Sequence, residues 1–313
     1  MTPLAPLLAA FLASSVHAQG PDAKKLSSYS FDASRPATSR IAKMPEWLLN
    51  RWQKMDGTRN YAAYLPKDKE RREFEAAVNG LPPRLRKILD ERLIAFYFVS
   101  NLKGNGITEW VLDASSRTYV YMVLNPAGFK MTLSQLLTER ERSPFRGAAD
   151  ISVEAGAGSG ILYTVTHESA HAFDYVRGLT PYVEPGIDAL RGRAGPHHWD
   201  VWREYGVSLD EDSYPARHNL TFYGFGGGPK LDATDAPAVC AQWARSPFSS
   251  LYGSRNWADD VAELFVVRHL VRDLGLPYRV RCAGTIREPL SDPRVRERAE
   301  RALEPIYEPE EPK

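Results

Sequence analysis

Between Gly160 and Gly178 the chain reads ILYTVTHESAHAFDYVR, a helical stretch fenced by glycines. Ile161, Leu162, Val165, Ala172 and Val176 supply an apolar side at helical spacing. At 3.6 residues per turn, His167 and His171 fall one turn apart on one face, with Glu168 beside the first. Folding alone does not require two imidazoles and a carboxylate on one helical surface. The rest of the chain must therefore bring to that surface whatever the histidines still lack.

His167-Glu168-Ser169-Ala170-His171 is an H-E-x-x-H pattern. In this arrangement two neutral imidazoles share a Zn²⁺ ion, and the glutamate handles the proton of a zinc-bound water. The bland reading is a helix with two core histidines and a surface glutamate. A catalytic zinc usually has three protein ligands and an open position, so a third ligand is needed. Arg177 stands where a metzincin would carry its third histidine, and His197 and His198, in a Gly-Pro turn, are weak candidates.

The better source is SLYGSRNWADDVAELFVVRHL, residues 250–270. Asp259 and Glu263 are one turn apart on one helical face, and Tyr252 lies just ahead. Here the chain resembles the gluzincin metallopeptidases, in particular the catalytic domain of the anthrax lethal factor type. In that family a second helix carries a tyrosine, a glycine, an asparagine and then E-x-x-x-E. Tyr252, Gly253 and Asn256 match in order, Asp259 stands at the ligand position and Glu263 at the supporting one. The resemblance covers about forty residues in two blocks, and the first block alone is generic to zincins. Aspartate replaces the family's glutamate and is one methylene shorter, so Glu263 and Asp260 stay open as ligands. Asn256 also suits an N-cap, which would make Asp259 and Asp260 ordinary first-turn acids.

The remaining pattern predicts an α+β fold, mostly helical with a small mixed sheet around the H-E-x-x-H helix. PEWLLNRWQKM and TLSQLLTERER read as helices, the latter capped by Thr132, and PPRLRKILDERLIAFYFVSNL reads as one long helix. RTYVYMVLN (117–125) is the clearest strand, DISVE a second, and NWADDVAELFVVRHLVRDLG a helix ending at Gly275. Residues 1–18 have an apolar centre and end Val-His-Ala, a signal peptide pattern despite lacking Lys or Arg. Residues 19–44 read as a mobile lead-in, 45–306 as the zincin-like domain and 307–313 as a tail. Two cysteines, Cys240 and Cys282, suggest one disulfide in an exported protein, the alternative being two unrelated buried thiols.

Forty Lys plus Arg against thirty-nine Asp plus Glu leave a net charge of +1, so no broad basic field points to nucleic acid. No run after the leader is long enough to span a membrane. The expectation is an exported, zinc-dependent peptidase acting on a peptide or protein substrate. His167, His171 and Asp259 hold the metal and Glu168 is the general base. The family resemblance makes Tyr252 an oxyanion donor, Glu263 orients a ligand histidine, and strand 117–125 offers its edge to an extended peptide. The aromatic stretch 197–225 walls the cleft. The alternative is a zincin-like module that binds zinc and a peptide or cell-envelope partner without cutting it. Zinc hydrolysis of a non-peptide amide has the same motif.

Overall fold

The computed structural model describes residues 21–181 and 201–308. Five strands form a mixed sheet: β1 (Ile41–Ala42), β2 (Ala62–Tyr64), β3 (Leu93–Ser100), β4 (Gly106–Leu112) and β5 (Thr118–Leu124). Their order is β1-β3-β5-β4, with β2 also paired to β3; β4 runs antiparallel to β5. Alternation along β3 explains the topology. Phe96 and Phe98 face one core with Phe74, while Ile94, Tyr97 and Val99 face a second. A strand covered on both faces reads as a continuous apolar run.

That run also accounts for a correction. The expected long helix ends early: α3 is Pro83–Arg92, and Leu93 onward is β3. No glycine or proline marks the junction, and the leucines and aromatics of β3 also fit helical spacing.

One face of the sheet carries α1 (Glu46–Met55), which buries Leu48 and Trp52 there. The expected lead-in is packed into the fold rather than free of it, its first part on this face and its end, from Ala37 to Arg40, against α3. Ala23 is buried, the Tyr29 ring lies 5.5 Å from those of Trp47 and Tyr121, and buried Arg40 donates to the Leu89 carbonyl at 3.2 Å. Its few apolar residues suffice because they meet an exposed sheet face. The other face is covered by α2 (Asp68–Asn79), α3, α4 (Leu133–Arg142) and α5 (Ile161–Arg177). Thr132 caps α4 as expected, and Gly178, with φ of 70°, ends α5.

Smaller elements complete the second half. β6 (Phe145–Arg146) pairs with β10 (Leu231–Asp232), and β7 (Ile151–Glu154) pairs with β11 (Arg279–Cys282), which pairs with β12 (Thr285–Arg287). β8 (Trp202–Glu204) and β9 (Val207–Ser208) form a hairpin. α6 (Ala236–Arg245), α7 (Trp257–Arg268) and α8 (Pro293–Tyr307) supply the remaining helices. The Cys240–Cys282 disulfide joins α6 to β11, with Cα atoms 5.6 Å apart. The mixed α+β class is as expected, and no helix among the described residues is long and apolar enough to cross a membrane. The signal segment 1–18, His197, His198 and residues 309–313 of the tail lie outside the described residues.

Candidate metal centre

α5 and α7, ninety residues apart in sequence, pack against each other. His167 Nε2 and His171 Nε2 are 3.1 Å apart, and Asp259 Oδ1 lies 3.6 Å from each. A tetrahedral ion with bonds of about 2.0–2.2 Å holds its ligand atoms about 3.3–3.5 Å apart. The three donors fit that triangle with no movement larger than a few tenths of an ångström.

Asp259 reaches this position through its own helix start. Asn256 caps α7: its Oδ1 accepts from Asp259 N at 2.9 Å, and its Nδ2 donates to Asp259 Oδ2 at 2.7 Å. Arg255 Nη1 approaches the same Oδ2 at 3.4 Å. With Oδ2 occupied, Oδ1 is presented to the imidazoles. Burial would raise the Asp259 carboxyl, but Arg255 and the two histidines hold it well below the usual carboxylate range. The shorter side chain is thus no obstacle. Asp260, kept open as a ligand, is turned away: its Oδ2 accepts from Trp202 Nε1 at 2.8 Å and pairs with Arg298.

Glu263 lies behind the histidines. Its Oε1 is 3.0 Å from His167 Nδ1 and accepts from Tyr163 Oη at 3.0 Å and Arg140 Nη1 at 2.7 Å; Oε2 accepts from Ser250 Oγ at 2.8 Å. Burial pushes the Glu263 carboxyl up, but Arg140 and His167 outweigh it and hold the group at about 2. Burial pulls the His167 imidazole down; Asp259 and Glu263 reverse this and push it up to about 9. Without a metal that imidazole is protonated on both nitrogens at neutral pH; once Nε2 gives up its proton to a bound ion, the ionised Glu263 holds the remaining one on Nδ1. Arg140 also bonds Glu141, whose Oε2 takes the Leu251 amide at 3.1 Å. In sequence, this buried pair is hidden inside the charge-alternating run TERER.

His167, His171 and Asp259 line one side of a cleft of about 480 Å³. β4 also lines it, and the strand expected to offer an edge does not. The strand at 118–124 is interior, flanked by β3 and β4, because both its faces and both its edges are covered. The bond from Asn125 N to Asn105 O sets the alternation along β4. It turns the backbone groups of Gly106 and Thr108 away from β5, towards the cleft side. Thr108 Oγ1 donates to Glu168 Oε2 at 2.8 Å, holding that buried carboxylate beside the histidines. A Cβ at Gly106 would lie 2.8 Å from Thr164 Cγ2 and 2.9 Å from Glu168 Cγ and Oε1, so the strand can approach α5 this closely only with glycine here. The sequence pattern did not single out β4; GITEWVL shows no clean alternation, and its β-branched and aromatic residues are the signal it does carry.

Tyr252 lines the cleft, its ring 5.6 Å from that of His167, and burial keeps its phenol well above the usual range. Tyr205, Tyr223 and Phe225 also line it, so part of the aromatic stretch expected as a wall lies there. Compared with known proteins, the chain matches no family model, no curated protein and no solved structure.

Proposed function

We propose that this protein is a zinc-dependent metallopeptidase of zincin type, exported from the cell. The observation that carries the reading is the convergence of His167, His171 and Asp259 in a tetrahedral donor triangle, with Glu168 alongside. Two imidazoles and a carboxylate form a donor set suited to zinc. When bound there, zinc supplies a Lewis acid and a water that ionises near neutral pH.

The chain's own residues do the rest. Glu168 Oε takes a proton from the attacking water and passes it to the leaving amine. Thr108 orients that carboxylate, and Tyr252 donates a hydrogen bond to the carbonyl oxygen as charge builds there. An extended peptide adds to the β4 edge through Gly106 and Thr108. Glu263 keeps His167 in the tautomer a metal requires. The buried disulfide supports an oxidising compartment.

Metal analysis of the purified protein, paired with a peptide-library assay, tests the reading. One zinc per chain is expected, with cleavage that a chelator removes and added zinc restores. Zinc without cleavage would leave a binding module, and protein that takes up no divalent metal would end the proposal.

Gly106→Ala tests the close approach of β4. The new methyl forces Glu168 aside, and a displacement near 1 Å lowers kcat by about 100-fold. Zinc affinity, measured by chelator competition, stays at the wild-type value because no ligand is touched.

A further inference from the structure

Arg255 occupies an unusual place in the cleft wall. Its backbone is fixed from behind: the buried Arg217 guanidinium donates to the carbonyl oxygens of Ser254 at 3.0 Å and Arg255 at 3.4 Å. Its side chain folds back over Tyr252, with the guanidinium carbon 5.1 Å from that ring. The tip then lies between two groups of the site. Nη1 is 3.1 Å from Tyr252 Oη and 3.4 Å from Asp259 Oδ2.

The chemistry of these three groups is asymmetric. Guanidinium only donates, whereas a phenol both donates and accepts. Tyr252 Oη must therefore accept from Arg255, and its own proton is directed elsewhere. No described residue receives it, and Tyr252 lines the cleft, so the proton is left for a ligand there. Asp259 shows the same logic. Arg255 and Asn256 both approach Oδ2, so the carboxylate presents Oδ1 to His167 and His171. An isolated i,i+4 ion pair on a helix contributes only about 0.3–0.5 kcal/mol. Here the arginine is held by the Tyr252 ring and by Arg217, and one nitrogen serves both acceptors.

We propose that Arg255 is a positioning residue that sets two catalytic groups at once, aiming the Tyr252 hydroxyl proton into the cleft and turning Asp259 Oδ1 onto the metal. Its action on Tyr252 rests on the metallopeptidase reading. Its action on Asp259 requires only that the His167–His171–Asp259 cluster binds zinc. Nothing in the sequence pattern singled out Arg255.

The test uses the full chain with Arg255→Gln, Tyr252→Phe and the double variant. Zinc affinity is read by competition with a chromophoric chelator, and kcat and KM on a peptide the wild type cuts. Arg255→Gln is expected to weaken zinc about tenfold or more, while Tyr252→Phe leaves zinc affinity within about twofold of wild type. Both single variants lose kcat with KM nearly unchanged, and the double falls little further than Arg255→Gln alone. Arg255→Lys keeps the charge and the stem over the ring, and recovers part of both losses. If the glutamine variant melts, the lysine variant is measured instead and is expected to show smaller losses of the same two kinds. Unchanged zinc affinity at position 255, or kcat losses that multiply in the double variant, would overturn the proposal. If the wild type binds zinc but cuts nothing, the peptidase reading fails, and zinc affinity alone still decides the Asp259 half.

Discussion

Glu168→Gln is expected to lower peptide cleavage by about 10²–10⁴-fold and to leave zinc content unchanged. The amide has nearly the carboxylate's shape and can still meet Thr108 Oγ1, so the packing under β4 survives. What is lost is a group able to accept and return a proton. Paired activity and metal measurements on one preparation check this. Cleavage at the wild-type rate would remove Glu168 as the base and leave the triangle of ligands without a partner for chemistry.

Glu263→Ala should have the largest effect on stability. The carboxylate is fully buried and bonded to Arg140, Tyr163, Ser250 and His167. Its removal leaves the Arg140 guanidinium, also fully buried, with Glu141 as its remaining carboxylate. Removing one partner of such a pair typically costs about 3–5 kcal/mol. Urea unfolding of metal-free wild type and variant measures the difference, and a loss below about 1 kcal/mol would show that the network matters little.

The same group predicts a pH dependence. Folding lowers the Glu263 carboxyl from its ordinary 4.5 to about 2. Its stabilising contribution is therefore fully present above about 4.5, and it is lost as pH falls through about 2. The acid limb of the wild-type stability curve should be correspondingly shallower in Glu263→Ala.

Much of the site was legible because its chemistry is written in short range. His167, Glu168 and His171 need only a helix, and glycines at both ends delimit one. Tyr252, Asn256, Asp259 and Glu263 lie within a dozen residues, so one turn and one helix order them. What escaped notice depends on pairing between distant segments. Thr108 and Gly106 matter because β4 crosses above α5, and no local pattern announces that crossing. Arg140 and Glu141 look like solvent-facing charges until α7 places Glu263 against them. Residues 21–44 look mostly polar, yet Tyr29 alone meets the rings of Trp47 on α1 and Tyr121 on the sheet. Asp260 is an open alternative ligand in sequence because only three-dimensional packing brings Arg298 and Trp202 to it.

The bond between Cys240 and Cys282 has a practical bearing on how the molecule is handled. The span it encloses carries Tyr252, Arg255 and Asp259 of the cleft, and Glu263 behind them. β11, at one end of that span, continues through β7 towards the H-E-x-x-H helix. Thiol status is therefore a hidden variable between preparations: chains made in a reducing cytoplasm have identical sequence but a looser hold on Asp259, one of the three proposed ligands. Batches of equal purity would then differ in how much metal they retain through dialysis.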